Sequence, residues 1–219
     1  MRDFAPNYSH CSYRYSYHKV MATAQNYPAL YRGLLESTLR TIDLDRVTRA
    51  IELLAEAREN GRTIFVCGNG GSASTASHFV CDMVKGASFE RAARFRIMAL
   101  TDSMATITAY SNDVDYGCIF TEQLRNFAEP GDVVMALSGS GNSANVVRAL
   151  EYATSLGCRT IALTGREGGT LGPLAEVEIR VPEQHMGRIE DGHMIVCHMI
   201  CYYFMEHGSE KAVASVQGK

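Results

Sequence analysis

Residues 132–143 read DVVMALSGSGNS, and residues 63–72 read TIFVCGNGGS. Each stretch is a short run of apolar, largely β-branched residues that stops abruptly at a cluster of glycine and serine. Each cluster is followed by a helical pattern, over 144–156 in one case and to about Lys85 in the other. A continuous apolar run of this length suits a strand covered on both faces, and the strand–loop–helix order suits a parallel sheet.

Working outward, the alternation continues. Phe95–Leu100, Thr160–Thr164 (TIALT) and Glu176–Val181 (EVEIRV) supply three more strand candidates. Ser103–Tyr110, Thr121–Phe127 and Arg188–Glu206 read as helical. Two helices precede the first strand. Leu30, Leu34, Leu35 and Leu39 recur at helical spacing from Tyr27. Val47, Ile51, Leu54 and Ala55 repeat that spacing after Asp43, a plausible N-cap, until Gly61. The expected fold class is therefore α/β, with a five-stranded parallel sheet flanked by helices and two leading helices.

The first twenty residues, MRDFAPNYSHCSYRYSYHKV, are rich in Tyr, Ser and His and show little apolar periodicity. Met21 then opens a stretch that reads like an ordinary protein start. Residues 1–26 are expected to be a disordered arm, or to include an upstream start, and residues 27–219 to form one domain.

Composition narrows the partners. At 219 residues the chain suffices for one well-buried core, and its net charge of −3 gives no support for a nucleic-acid or membrane-surface partner. No apolar run is long enough to cross a bilayer. The seven cysteines form no CxxC pair and several lie inside apolar runs. Free buried thiols in a reducing, cytoplasmic compartment are the expectation.

In an open parallel sheet, ligands bind beyond the carboxyl ends of the strands. Both Gly/Ser clusters fall at such positions. In GNGGS, Gly68, Gly70 and Gly71 let backbone amides approach an anion, and Ser72 adds a hydroxyl at the helix start. In SGSGNS, Ser138, Ser140 and Ser143 present three hydroxyls around Gly139 and Gly141. A capped turn alone would explain one such loop; two at equivalent positions point to a phosphate. Neither loop reads GxxxxGK[ST] or GxGxxG, so a sugar monophosphate fits better than a nucleotide.

His78 and Asp82 stand four apart on the helix after GNGGS, a spacing that can place two ligands on one metal ion. Near the C-terminus, Glu190, His193 and His198 cluster on the last helical stretch. Along one continuous helix Glu190 and His198 lie about 12 Å apart at about 1.5 Å per residue. They share an ion only if Glu190 precedes the helix proper, or if residues of different subunits meet. His193 alone reads as a packed or capping histidine, and Lys85 as a solvated helix-end lysine or a phosphate contact.

Together, CGNGGSASTASHF, ALSGSGNSANVVRAL, IALTGREGG and EIRVPEQHMGRIEDGHMIVCHMI resemble the SIS (sugar isomerase) domain family over about residues 27–207. Within it, the chain is most similar to the phosphoheptose isomerases. The resemblance implies a three-layer αβα, flavodoxin-like domain. It implies interconversion of sedoheptulose 7-phosphate and D-glycero-D-manno-heptose 7-phosphate through an enediol, assisted by one zinc per subunit, in a homotetramer with active sites between chains. Asp82 and His198 match the catalytic positions, and His78, Asp82, Glu190 and His198 the zinc-binding set. Asn69, Gly70, Gly71, Ser72, Asn112, Asp113, Ser138, Gly139, Ser140, Ser143 and Glu190 match substrate-binding positions, with Asn112–Asp113 in the loop beyond the second strand. The sequence departs from the family at Asp82 (usually glutamate), Glu190 (usually glutamine) and Gly139 (usually threonine). A non-catalytic SIS regulator or scaffold, or an isomerase of another sugar phosphate, is the alternative. Retention of His198 with His78 favours an enzyme.

Overall fold

A computed structural model of the protein describes residues 23–207. Most of the expected arm over residues 1–26 therefore lies outside the described residues, as do residues 208–219 and Cys11.

Two helices come first, α1 (Tyr27–Leu39) and α2 (Leu44–Glu59). Asp43 caps α2 as its sequence suggests, accepting hydrogen bonds from the amides of Asp45 and Arg46. Five parallel strands follow: β1 (Thr63–Gly68), β2 (Arg96–Ala99), β3 (Val133–Ser138), β4 (Arg159–Gly165) and β5 (Val177–Val181). Between them run α3 (Gly71–Cys81), α4 (Met104–Asp113), α5 (Thr121–Phe127), α6 (Ala144–Leu156) and the short α7 (Leu171–Leu174). Helix α8 (Met186–His207) closes the described chain.

The strand order is β2-β1-β3-β4-β5. It reverses between β1 and β3, so a crevice opens there at the carboxyl edge of the sheet, where doubly wound sheets take their ligands. The pleat sorts the core into two layers. Ile64, Val66, Met135, Leu137, Ile161 and Ile179 pack on one face with side chains of α2, α3 and α8. Phe65, Cys67, Val134, Ala136 and Ala162 pack on the other with α5 and α6. Strands buried on both faces are why 63–67 and 132–137 read as unbroken apolar runs.

Three local features depart from the sequence reading. The helix expected to run to Lys85 ends at Cys81, and Asp82–Gly86 continue it as one π-helical turn. Asn112 and Asp113, expected in a loop, are the last two residues of α4, because the helix continues past the last residue of its apolar periodicity. A 3-10 turn, Tyr116–Cys118, then leads to α5.

Candidate functional site

Both Gly/Ser loops end the two strands that border the crevice. The first joins β1 to α3 and carries Asn69, Gly70, Gly71 and Ser72. Ser72 is buried in the first turn of α3. The second joins β3 to α6. Its hydroxyls converge: Ser138 Oγ lies 3.4 Å from Ser140 Oγ and 3.4 Å from Ser143 Oγ. Ser143 occupies the N-cap position of α6, yet its side chain makes no capping bond. Three hydroxyls and the positive end of a helix therefore face one small volume, an arrangement suited to a phosphate's oxygens.

The second loop is braced by the segment after β4. Gly141 has φ +65°, and a Cβ there would fall 2.6 Å from the carbonyl carbon of Gly168. The amide of Leu171 donates to Gly141 O, and Asn142 Oδ1 accepts from both Thr170 N and Thr170 Oγ1. The sequence IALTGREGG thus serves as a backing for the serine loop. Gly139, where the resembled family has threonine, lies under Met186: a Cβ at this position would meet its sulfur at 2.6 Å.

Helices α3 and α8 run parallel, in register. Glu190 lies against Gly71, at the start of α3, where an added Cβ would come within 2.7 Å of the Glu190 carboxyl carbon. Two turns further on, His198 meets His78, with Nε2 atoms 3.0 Å apart. Asp82 Oδ2 sits 3.2 Å from His78 Nε2 and 3.8 Å from His198 Nε2. The three ligand atoms lie within 4.8 Å of one another. Glu190 does not precede the helix proper, since α8 already begins at Met186. Within one chain it therefore stays with the first Gly/Ser loop, and the triad His78–Asp82–His198 forms without it.

Two imidazole nitrogens that face each other at this separation repel unless a proton or a cation lies between them. Two histidines and one carboxylate also form the donor set of catalytic zinc sites, which keep a coordination position open. The residues present fit that metal. His193 plays a different part. It is buried, with Nε2 2.9 Å from Thr164 O and Nδ1 buried without a partner, and burial pushes it down to about 4 despite the Thr164 bond. It is a neutral packing histidine that docks α8 on β4.

Burial pushes the Cys67 thiol, beside the first loop, up to about 12. Burial also raises Cys197 and Cys201 on α8, with the Asp82 carboxylate adding to it. None of these thiols is a nucleophile at neutral pH. Lys85 is exposed on the π-helical turn. Asn112 Nδ2 donates to Asp113 Oδ1 at 2.6 Å. Among the described residues, neither side chain hydrogen-bonds to a Gly/Ser loop.

Sequence reasoning missed two residues at the crevice. Asn145, near the start of α6, is 2% exposed and exchanges two side-chain hydrogen bonds with Asn69. Tyr116 Oη also donates to Asn69 Oδ1, at 2.9 Å. Uncharged groups inside a helix and a turn carry no spacing signal that would have marked them.

The SIS domain model matches residues 26–165. The phosphoheptose isomerase of Geotalea daltonii is 42% identical over 71% of this chain and 81% of its own length. A probable phosphoheptose isomerase of Thermoplasma volcanium is 42% identical over 74% of this chain and 82% of its own. The solved phosphoheptose isomerase of Neisseria gonorrhoeae superposes with a TM-score of 0.78 at 31% identity, covering 84% of this chain and all of that one.

Proposed function

The chain belongs to the SIS domain family and is an isomerase of the phosphoheptose isomerase kind, and from that premise we propose that it interconverts sedoheptulose 7-phosphate and D-glycero-D-manno-heptose 7-phosphate. The observation that carries the reading is the convergence of His78, Asp82 and His198 on one point, on two parallel helices of which one starts at a Gly/Ser loop.

The serine loop, Ser138–Ser143, holds the phosphate through hydroxyls and the α6 N-terminus. Asn69, Gly70, Gly71 and Ser72, with Glu190 against them, border the sugar chain, and Asn112 and Asp113 belong to the same substrate-binding set. The carbon acid is placed at the triad. There Asp82 removes a proton from the carbon beside the carbonyl, and the C–H electron pair becomes the C=C bond of the enediol. The carbonyl oxygen takes up a proton from His198 as that bond forms. Asp82 then returns the proton to the neighbouring carbon while His198 recovers its own from the other oxygen.

His78, Asp82 and His198 would hold a zinc ion, which would supply Lewis-acid polarisation of the carbonyl when bound; while His198 exchanges its proton, His78 and Asp82 would be the ligands that remain. Oδ2 of Asp82 makes the contact with both histidines, and in this reading Oδ1 handles the proton. Asp82 is one methylene shorter than the glutamate usual in the family. The carboxylate is nonetheless brought against both histidines, at the point where α3 gives way to the π-helical turn. That turn is a device often found at functional sites.

Incubation with sedoheptulose 7-phosphate, with and without zinc, tests the reading through appearance of the aldose. Asp82→Ala and His198→Ala are expected to lower turnover by about a thousandfold or more while circular dichroism stays native. Wild-type-like turnover in both variants overturns the assignment.

A further inference from the structure

The paired asparagines at the switch point carry an inference of their own, which rests on the function proposed above. Asn69 Nδ2 donates to Asn145 Oδ1 at 2.8 Å, and Asn145 Nδ2 donates back to Asn69 Oδ1 at 2.9 Å. The result is a closed amide pair between the first Gly/Ser loop and the helix that begins at the second. Tyr116 Oη adds a bond to Asn69 Oδ1. Asn145 Oδ1 also accepts from the amide of Val146, which fixes its amide orientation. One turn along α6, Arg148 pairs with Asp115 at 2.6 Å and so holds the turn that presents Tyr116.

We propose that Asn145 is a positioning residue that sets the distance between the phosphate end and the reacting end of the substrate. The phosphate loop leads into α6, which carries Asn145. The reacting groups His78 and Asp82 lie on α3 and the π-helical turn beyond it, and α3 starts two residues after Asn69. The amide pair is the direct side-chain bond between these two pieces. Asn69 is occupied by it: its carbonyl oxygen takes two donors and one of its two N–H groups is spent. Its side chain thus serves chiefly to tie the loops, and the loop's backbone amides are left to face the sugar.

The chemistry suits the place. A closed amide pair is directional and satisfies buried polar groups without adding charge beside an anion site. A carboxylate at position 145 would still accept from Asn69 and from the Val146 amide, lose the bond donated to Asn69, and set a negative charge at the N-terminus of α6.

The test is a double-mutant cycle with Asn69→Ala, Asn145→Ala and the double variant, with kcat, KM, inhibition by inorganic phosphate and Tm measured for each. Asn145→Ala is expected to lower kcat by about tenfold or more, as loss of alignment does. Inhibition by inorganic phosphate, which needs only the serine loop, should shift by less than about threefold. The double variant should be no worse than either single one, within about twofold. Asn145→Asp should weaken phosphate inhibition as well. A lowered Tm with unchanged kcat, or losses that multiply in the double variant, overturns the proposal. Wild-type turnover in the same assay judges the functional reading separately. If the wild type is inactive, the tie stands if Asn145→Ala speeds amide exchange across residues 68–72, and falls if it does not.

Discussion

His193 shows how one residue type divides into two roles on a single helix. His198, five residues on, turns Nε2 toward His78 and Asp82, whereas His193 is buried and neutral. Its folded value of about 4 lies below the ordinary 6.5, so the unfolded chain binds the extra proton first. Stability from this group is complete above about pH 6.5 and is lost as pH falls toward 4. The full loss is about 3 kcal/mol for a shift of this size. Thermal melts of the wild type should show Tm falling over that window, and His193→Asn should flatten the fall while lowering Tm at pH 7. A slope that His193→Asn leaves unchanged would move the effect elsewhere. Glu183 acts in the same direction at lower pH. Burial opposes its ionisation, but bonds from Arg188, the His185 amide, Thr38 and the Gln184 amide prevail and hold it at about 2. At this scale the sequence was partly readable. His78 and Asp82 announced themselves by helical spacing. The separation of Glu190 from His198 needed only the helical rise, yet where Glu190 would settle depended on a second helix. Asn145 and Tyr116 gave no sign, because their meaning lies in contacts 76 and 47 residues away from Asn69.

Among the elements, the glycine-rich loops depend on one another. The serine loop is folded by its own sequence but is held in place by the segment after β4, which approaches so closely at Gly141 that no side chain fits. Gly141→Ala combines a strained positive φ with a Cβ 2.6 Å from backbone that cannot swing aside. It is expected to destabilise the protein by more than about 2 kcal/mol, read by urea denaturation, and to abolish binding of the phosphate. The strands and most helices were legible, since burial on both faces leaves an apolar run and burial on one face leaves a 3.6-residue period. The π-helical turn at Asp82 was not, because a π turn and an α turn share the same propensities and differ only in which carbonyl each amide finds. The end of α4 was missed for a similar reason: Ser111, Asn112 and Asp113 are exposed and polar, and nothing in their chemistry distinguishes a last helical turn from the start of a loop.

For the whole molecule, the order β2-β1-β3-β4-β5 makes one crevice the natural ligand site and puts both Gly/Ser loops on its rim. Edge strand β2 leaves Met98 41% exposed and nearby Phe127 58% exposed, apolar surface of the kind that association covers. The homotetramer that the family resemblance implies should appear in light scattering at four times the chain mass of 24.1 kDa; a monomer at micromolar concentration would rule it out. The sheet was readable from sequence because strand, loop and helix alternate locally. Assembly was not, because an exposed methionine reads the same whether water or another chain covers it. The serine loop proposed to hold the phosphate contains neither lysine nor arginine, and the first Gly/Ser loop has none either. Capture by hydroxyls, amides and a helix end acts over a few ångströms, so it is little touched by ionic strength and exerts no long reach on other anions. Substrate and product of a reversible isomerisation carry the same phosphate, and a short-range grip of this kind lets either one go as readily as it takes the other.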